Sequence, residues 1–425
     1  MISSEIFYNH LQAKYTRRIN LDRKRIFKVL KKLNFPHLNL KNPINIIGSD
    51  GKYTTGINLL SFLEGGKYNT TFFQSPHLVS VRHRFRLKKR FMTLDQLRKY
   101  EKLIHKTGLK LTLFELLTMI YLLAANEQKM INYNICEAGA GFEKDSTNLW
   151  NAPKAQIITN INLQHLDLFK VKTLEEVIKI KVGYLSKNTN IYIGKQKPKV
   201  LNLIKKILKK NPSKVIYPST WRIIKSKNIY LYKDKKNSIP IKSKYIHSDG
   251  LINNLGLAIK VALDLGIKSS IIRKTIPNIN YEGRMQYIEK GKLRKHLNNK
   301  EQLLLDGAHS ATSAKNLYNY LKKLKLPIYC VWGMQKNKLP IKFLKEFKGI
   351  FKKIITVRIP NEPNSCTSEY LMSIANKQNY DVEVAKDMKQ ALNILSNGKG
   401  ILAGDESTAT MTQRLESVNV PSTPA

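Results

Sequence analysis

The chain of 425 residues is too long for one hydrophobic core, and its 42% apolar content excludes a largely disordered protein. Its 74 Lys and Arg residues against 30 Asp and Glu give a net charge of +44, which invites a nucleic-acid hypothesis. Because the lysines are scattered over helix faces and loops and not gathered in one arm, nucleic acid is not the expected main partner. The positive charge would still attract anionic substrates.

The remaining composition favours a cytoplasmic protein. The longest apolar stretch, residues 111–126, is too short to span a bilayer and contains Glu115. The segment before residue 16 lacks the apolar core of a signal peptide. Cys136, Cys330 and Cys366 are unevenly spaced and form no metal motif, as in proteins of a reducing compartment. We expect a soluble, monomeric cytoplasmic protein.

Apolar runs alternate with amphipathic stretches throughout, which predicts an α/β fold with a mostly parallel sheet. The predicted strands are 44–47, 70–73, 131–137, 156–161, 191–193, 302–306, 328–332, 354–357 and 400–403. The predicted helices are 54–63, 94–107, 114–126, 174–184, 251–265, 310–324 and 388–395. We expect one domain over residues 1–285, a Lys-, Gly- and Asn-rich linker over 286–300, and a smaller domain over 301–404. Residues 405–425 are poor in lysine and rich in Ser and Thr, and are predicted to be disordered.

The first predicted strand leads into a glycine turn that is typical of a phosphate site. Residues 48–54 read Gly-Ser-Asp-Gly-Lys-Tyr-Thr. Backbone N–H groups at the start of a helix point at an anion, and the helix dipole favours negative charge there. Lys52 can reach terminal phosphates and Thr54 can offer a hydroxyl to Mg²⁺. The spacing differs from the common P-loop, and such a short run alone is more often an ordinary turn.

Further polar motifs follow the next predicted strands in order. Ser75-Pro76-His77-Leu78 follows the second strand, and Glu137 ends the third. Thr159-Asn160 leads to His165, and a helix start at Thr173 leads to Lys181. Because ligands of open α/β sheets bind beyond the carboxyl ends of the strands, these motifs together predict one site.

In this order the motifs resemble the folylpolyglutamate synthase/dihydrofolate synthase family, the folate branch of the Mur-type ATP-dependent amide ligases. The resemblance covers about residues 40 to 340 and implies a P-loop-type domain followed by a smaller Rossmann-like α/β domain. The family patterns are G-T-N-G-K-G-S/T, S-P-H-L, E-x-G-x-G-G-R-x-D-A-T-N, G-R and D-G-A-H-N-P. They are matched at Gly48, Gly51, Lys52 and Thr54; at Ser75 to Leu78; at Glu137, Gly139, Gly141, Asp145, Thr147 and Asn148; at Gly283 and Arg284; and at Asp306 to His309.

The resemblance implies ATP and Mg²⁺ as cofactors, with L-glutamate and a pterin or folate as substrates. The implied catalytic residues are Lys52, His165 and Lys181, the last as a carbamylated lysine. The implied metal ligands are Thr54, Glu137, His165 and Lys181. The implied ATP-binding residues are Gly48, Ser49, Asp50, Gly51, Lys52, Tyr53, Thr54, Asn254 (at adenine), Arg284 (at the phosphates), Asp306 and His309. The implied substrate-binding residues are Ser75, His77, Arg84, Phe114, Asp145 and Ser146.

Taken singly, several of these residues have a plainer interpretation. Mg²⁺ prefers oxygen ligands, so His165 can also be an ordinary hydrogen-bonded loop histidine. Lys181 can be one more surface lysine, and Phe114 can belong to the core. Asp306-Gly307 can be a simple turn after a strand.

The chain departs from the family pattern near the predicted site. Phe142 and Glu143 replace a Gly-Arg pair, His83 stands where the family usually has Glu, and Gln164 stands where it usually has Asp. Asp50 replaces the Asn of the phosphate loop. These departures concern the residues that would face the substrates.

The C-terminal segment resembles a different family. Residues 398–408 read Gly-Lys-Gly-Ile-Leu-Ala-Gly-Asp-Glu-Ser-Thr, with Arg414-Leu415 after them, like the N-terminal segment of class I fructose-bisphosphate aldolases. Fewer than thirty residues are covered and the Schiff-base lysine of that family is absent, so no aldolase activity is expected. The match is either a chance similarity of a last strand or a foreign fragment joined to the gene, and the abrupt loss of lysine favours the fragment.

We therefore expect an ATP-dependent ligase that joins L-glutamate to a pterin or folate carboxylate through an acyl phosphate. The sequence leaves open whether it makes dihydrofolate, extends polyglutamates, or does both. The alternatives are another Mur-type amide ligase, or a basic nucleic-acid-binding protein that retains the fold. Salt-sensitive DNA or RNA binding without ATP turnover would favour the last of these.

Overall fold

The chain folds into two compact units. A computed structural model describes residues 3–16, 23–77, 79–164, 166–226, 229–360 and 362–396. The first unit contains the residues before 76 together with Val81–Lys244 and Gly250–Ile279. The second contains Pro76–Ser80, Tyr245–Asp249 and the chain from Asn280 onward. The predicted strand at 400–403 and tail at 405–425 lie outside the described residues, and the domain limits at 285 and 301 stay predictions.

The helices and strands of the first unit alternate along the chain. The helices are α1 Ser4–Lys14, α2 Arg23–Lys32, α3 Lys52–Gly65, α4 Leu94–His105, α5 Leu113–Asn126, α6 Leu166–Phe169, α7 Leu174–Val182, α8 Pro198–Leu208, α9 Asp249–Asp264 and α10 Ser269–Thr275. The strands are β1 Pro43–Ile47, β2 Thr70–Phe73, β3 Phe85–Leu87, β4 Arg90–Phe91, β5 Tyr133–Glu137, β6 Ala155–Ile158, β7 Asn190–Ile193, β8 Lys214–Ile216, β9 Trp221–Ser226, β10 Ile229–Asp234 and β11 Ser238–Ile241.

Strands β1 to β8 form one mostly parallel sheet in the order β4-β3-β2-β5-β1-β6-β7-β8. The six strands from β2 to β8 in this order pair in parallel, and β3 and β4 form an antiparallel edge. Every residue of β1, β2, β5 and β6 is buried, as expected for parallel strands covered by helices on both faces. The predicted α/β class is confirmed.

The strand order brings the predicted motifs together. Ile46 of β1 lies opposite Glu137 of β5, and Ile47 lies opposite Ile158 of β6. Phe73 of β2 lies opposite Cys136 of β5. The segments that follow β2, β5, β1 and β6 therefore emerge side by side at the carboxyl edge of the sheet, where ligands of open α/β sheets bind.

Helix α5 explains the apolar stretch at 111–126. It begins with a capping box, in which the Thr112 hydroxyl accepts from Glu115 N and the Glu115 carboxylate accepts from Thr112 N. Nearly every side chain after it is buried, against α1, α2, α4 and the β2–β3 side of the sheet. The stretch is a core helix, and within the described residues no helix is long and apolar enough to cross a bilayer.

The second unit contains a smaller parallel sheet. Its helices are α11 Ala311–Leu324, α12 Pro340–Lys345, α13 Ser368–Asn376 and α14 Met388–Ser396, and its strands are β12 Gln286–Tyr287, β13 Leu304–Leu305, β14 Ile328–Trp332, β15 Phe351–Val357 and β16 Val382–Ala385. Strands β14, β15 and β16 pair in parallel. The strand predicted at 302–306 is only the two residues of β13, which pair antiparallel with β12. The predicted strand was too long because the apolar residues there are buried, but only Leu304 and Leu305 pair with β12.

Several elements were not predicted from the sequence. Helices α1, α2, α8 and α13 and the antiparallel sheet β9–β10–β11 are the main ones. In α2 the buried residues Ile26, Val29 and Leu30 have helical spacing, but lysines and arginines fill most of the remaining positions. That spacing is the signal that could have identified the helix.

Arg25 of α2 pairs with Glu115 of α5, and this pair should stabilise the first unit. Arg25 Nη2 lies 2.6 Å from Glu115 Oε1 and Nε lies 3.2 Å from Oε2, with the Glu115 side chain only 7% exposed. Arg25→Met leaves the carboxylate buried without its cation, so we expect a loss of about 3 kcal/mol in the free energy of unfolding. Urea denaturation measures the loss.

The matched control is Lys206→Ala. Lys206 and Glu175 are both well exposed and 3.9 Å apart, so breaking that pair should cost less than about 0.5 kcal/mol. Equal stability losses in the two variants would contradict a structural role for the Arg25–Glu115 pair.

Candidate active site

The segment between β1 and α3 forms a tight loop at the helix N-terminus. Gly51 precedes α3 with φ of 86°, a left-handed conformation that favours glycine. Lys52 Nζ lies over the loop, donating to the carbonyls of Gly48 at 3.3 Å and Ser49 at 3.4 Å. The loop backbone and this ammonium together form the kind of cradle that binds phosphate.

Asn254 of α9 packs directly against this loop. Its Nδ2 donates to Thr54 Oγ1 at 2.8 Å, and the Thr54 hydroxyl donates to Gly51 O at 3.2 Å. The structure therefore joins the loop to a helix 200 residues away in the sequence. Contact of Asn254 with adenine stays a prediction.

Gly51→Ala should weaken nucleotide binding. A Cβ on Gly51 would lie 2.5 Å from Asn254 Nδ2, and the residue would keep its positive φ. Because the loop must shift to relieve both strains, we expect ADP affinity to fall roughly tenfold or more. Isothermal titration with ADP measures the change.

Gly266→Ala is the control for backbone strain alone, because Gly266 also has a positive φ but a Cβ there would meet no neighbouring atom. Unchanged ADP affinity in Gly51→Ala would show that the loop does not hold the nucleotide.

Glu137 ends β5 beside the loop and is only 3% exposed. Its Oε2 accepts a hydrogen bond from Ser75 N at 3.1 Å, so the strand-end carboxylate also fixes the segment after β2. The Thr54 hydroxyl and the Glu137 carboxylate are oxygen donors, which is the chemistry that Mg²⁺ requires. Within the described residues no group of three or more His, Cys, Asp or Glu side chains could hold a metal. His165 lies outside the described residues, so its predicted role is untested.

Lys181 is the most unusual side chain of the site. It lies on α7 but is only 1% exposed, and its Nζ donates to the carbonyls of Gly48, at 3.1 Å, and of Ala140. Burial and the neighbouring Lys52 lower the pKa of Lys181 to about 7, with partial opposition from Asp145 and Asp50. The plain interpretation of Lys181 as a surface lysine is excluded. Its predicted carbamylation remains a prediction.

Asp145 organises the turn after β5. Its carboxylate accepts from Gly139 N at 2.9 Å and from Thr147 N and Oγ1 at 2.9 and 2.7 Å. Burial raises the pKa of Asp145, although these hydrogen bonds and Lys181 favour its charged form. Ser146 is buried, with its hydroxyl 2.7 Å from Thr118 Oγ1.

The other residues predicted on the folate side lie near β2. Phe114 is half-buried and packs on Phe73 with ring centroids 5.8 Å apart, as its alternative core role would require. Arg84 is buried in the segment before β3, and its carbonyl accepts from Gln74 N at 3.0 Å. His77 is also buried and belongs to the second unit. Substrate contact by each of these residues stays a prediction.

The departures from the family pattern have structural explanations. Phe142 is fully buried in the cluster formed by β1, β6, β7 and α7. Glu143 accepts a hydrogen bond from the Tyr184 hydroxyl, which raises the pKa of that tyrosine. His83 stacks on Phe91, and burial together with Arg82 lowers the pKa of His83 to about 4, so its ring is neutral.

The residues predicted in the second unit also cluster. Asp306 accepts from Met285 N and Ala308 N, both at 2.8 Å. Burial raises the pKa of Asp306, and Arg284 opposes this effect. His309 Nδ1 lies 2.9 Å from Gly307 O, immediately before the capping box of α11. The buried carboxylate thus shapes its turn, and nucleotide contact by these residues stays a prediction.

Two residues of this region were missed by the sequence analysis. Asn162 binds both Ser49 and Asp50 of the phosphate loop. Arg23 of α2 donates to Asn148 O at 2.7 Å and acts electrostatically on Asp145, although burial lowers its pKa. Asn162 could have been noticed two residues after Thr159-Asn160, whereas nothing local in the sequence points to Arg23.

Comparison with known proteins agrees with this geometry. The family model described as "Mur ligase middle domain" matches residues 86–256. A dihydrofolate synthase/folylpolyglutamate synthase of Buchnera aphidicola subsp. Schizaphis graminum is 26% identical over 335 residues, which cover 75% of this chain and 74% of that protein. In sequence and in fold the chain is similar to the folylpolyglutamate synthase/dihydrofolate synthase family.

Solved structures of the folylpolyglutamate synthase/dihydrofolate synthase family share the fold. E. coli FolC in complex with DHPP and ADP superposes with a TM-score of 0.84 at 20% identity, covering 98% of this chain and 97% of that one. A bifunctional folylpolyglutamate synthase/dihydrofolate synthase with Mn, AMPPNP and L-glutamate bound gives 0.83 at 18% identity, covering 98% of both chains. At these identities the likeness concerns the fold.

The C-terminal resemblance is also matched by a family model. The model described as "Fructose-bisphosphate aldolase class-I" matches residues 387–424. Of these, 387–396 are described and contain α14, which packs in the core of the second unit through Met388, Leu392 and Leu395. The match therefore begins one residue before α14, a helix that packs in the core of the second unit, and the residues that first suggested the match lie outside the described part.

Proposed function

We propose that this protein is an ATP-dependent ligase that joins L-glutamate to the carboxylate of a pterin or folate. The observation that supports this proposal most strongly is that Lys52, Glu137 and Lys181 lie at one phosphate-type loop at the carboxyl edge of the sheet. The resemblance to this family supports the same conclusion, and the related structures were solved with ADP or AMPPNP, with Mn and with L-glutamate.

The loop and Lys52 would bind the terminal phosphates of ATP. The Lys52 ammonium, held beside the loop carbonyls, can move onto the γ-phosphate and neutralise charge as the substrate carboxylate attacks phosphorus. This step forms an acyl phosphate and ADP. The glutamate amine then attacks the acyl carbon, phosphate leaves, and an amide remains.

The buried groups around the loop would position the reacting atoms. Glu137 and Thr54 fit a divalent ion, and Mg²⁺ bound there would supply charge neutralisation at the phosphates. Asp145 and Glu137 hold the turns after β5 and β2 by accepting backbone N–H bonds, which fixes the walls of the substrate crevice. Asn254 fixes the hydroxyl of Thr54. We place Arg284, Asp306 and His309 at the nucleotide by resemblance.

The glutamate acceptor that we propose is dihydropteroate, tetrahydrofolate or both. Another Mur-type ligase is the nearest alternative, and it differs in the acceptor. The neutral His83 and the Phe142-Glu143 pair stand at positions that distinguish this chain from the family pattern. We further infer that the protein is a monomer. We also infer that it acts in the cytoplasm, because Cys136, Cys330 and Cys366 are buried and none of them is in a disulfide.

Coupled ATP-hydrolysis assays test the proposal. Dihydropteroate or tetrahydrofolate is supplied with L-glutamate, ATP and Mg²⁺, and ADP release is followed together with the mass of the product. We expect ADP release to depend on glutamate and the product to be heavier by one glutamyl unit. The absence of ATP turnover with either acceptor, together with salt-sensitive DNA or RNA binding, would favour the nucleic-acid alternative.

A further inference from the structure

The phosphate loop is hydrogen-bonded to residues 160–164, the segment after β6, through backbone and side-chain groups. Ser49 N and Asp50 N donate to Asn160 O at 2.8 and 3.2 Å. The Ser49 hydroxyl donates to Asn162 O at 3.2 Å and accepts from Asn162 N at 3.1 Å. Ser49 and Asp50, the two loop residues directly before Gly51, are therefore hydrogen-bonded to residues 160–162.

The Asp50 carboxylate continues this attachment with both of its oxygens. Oδ2 accepts from Asn162 Nδ2 at 2.6 Å, and Oδ1 accepts from Gln164 Nε2 at 3.2 Å. All three side chains are half-buried, and hydrogen bonds to an ionised carboxylate are stronger than neutral ones. The carboxylate also lies close enough to Lys181 to act on its ammonium.

Asp50 and Gln164 are both departures, and the departures are reciprocal. The family pattern has an amide, Asn, in the loop and a carboxylate, Asp, at the position of Gln164. Here the carboxylate is in the loop and the amide is in the facing segment, and the two side chains are hydrogen-bonded. Each pattern places one carboxylate and one amide at these two positions, so the exchange leaves the summed charge of the pair unchanged.

We propose that Asp50 and Gln164 are an exchanged carboxylate–amide pair that positions the phosphate loop on the 160–164 segment for nucleotide binding. The loop requires one carboxylate and one amide across this contact and tolerates either order. Asp50 and Gln164 are positioning residues, and the inference rests on the proposed nucleotide-binding role of the loop.

Geometry predicts how each single variant should fail. In Asp50→Asn the two donors lose their charged acceptor, and one of them, Asn162 or Gln164, must turn its amide over so that its oxygen accepts from the new NH₂ group. In Gln164→Asp a carboxylate replaces the amide donor. The hydrogen bond to Asp50 is lost, and the two negative charges repel each other. The double variant restores the pairing. The amide introduced at position 50 can accept from Asn162 with its oxygen, and its nitrogen can donate to the carboxylate introduced at position 164.

A double-mutant cycle on the full chain tests the exchange, with ADP affinity from isothermal titration and the thermal unfolding midpoint as readouts. Asp50→Asn should weaken ADP binding roughly tenfold, and Gln164→Asp by more, roughly thirtyfold. The double variant should recover to within about threefold of wild type, whereas independent sites would give the product of the two defects. Recovery of affinity supports the exchange, and a multiplied defect overturns it.

Gln164→Ala separates repulsion from a missing bond. It removes the donor without adding charge, so its loss of ADP affinity should be smaller than that of Gln164→Asp. If Gln164→Asp fails to fold while the double variant folds and binds ADP, the exchange is supported by stability alone. An equal loss in Gln164→Ala and Gln164→Asp overturns it. The readout is ADP binding and does not depend on the acceptor. If the wild type failed to ligate glutamate to a folate, the proposed acceptor would be wrong, but the test of the Asp50–Gln164 pair would still be valid.

Discussion

Replacing Lys52 by alanine is expected to reduce glutamate ligation roughly 10²- to 10³-fold, because the charge that develops on the transferred phosphoryl group loses its cation. The neighbouring Lys181 cannot take over. It is buried, and its Nζ is bound to the carbonyls of Gly48 and Ala140. The measurement is the steady-state rate of ADP release at saturating ATP.

The fold of the Lys52→Ala variant should survive. Among the residues that the structure describes, the Nζ atom of Lys52 makes two long hydrogen bonds, both to loop carbonyls, so the unfolding midpoint should move little. Lys102→Ala, an exposed lysine on α4, is the control for removing one of many positive charges. Turnover near the wild-type rate in Lys52→Ala would exclude the loop as the phosphate site.

Lys181→Arg should also reduce ligation, by roughly 10²-fold or more, because we predict that Lys181 acts as a carbamate. Burial and Lys52 lower the pKa of Lys181 to about 7, so near neutral pH much of its amine is uncharged. The uncharged amine is the form that attacks CO₂, forming an N–C bond and releasing a proton. Arginine keeps a positive charge at every accessible pH and cannot form this group.

Chemical rescue distinguishes the carbamate from a packing role. Lys181→Ala should lose activity and partly regain it with acetate, which can enter the vacated space and supply oxygens. Lys179→Arg and Lys179→Ala, at an exposed position on the same helix, should behave as wild type with and without acetate. Normal turnover of Lys181→Arg would show that the carbamate assignment is wrong. Thermal unfolding of each variant separates lost activity from lost structure.

The sequence by itself determined the fold class and the local motifs. Strands 70–73 and 328–332 were predicted with the bounds that the structure has, because both consist almost entirely of β-branched and aromatic residues, which favour strands. The phosphate loop could also be predicted from the sequence, since its glycines, lysine and threonine hydroxyl are neighbours in the chain. The order of motifs after successive strands also identified the edge of the sheet that holds the site.

Tertiary structure decided which side chains meet. Lys181 reaches Gly48 across 133 residues, and Asn254 reaches Thr54 across 200, contacts that no local pattern encodes. The same holds for burial: Phe142 looked like a departure at the ligand crevice, but packing places its ring in the core. Hydrophobic periodicity specifies the elements, whereas the partners of a polar side chain depend on how those elements pack. For this reason the exchange between Asp50 and Gln164 became visible only in the folded chain.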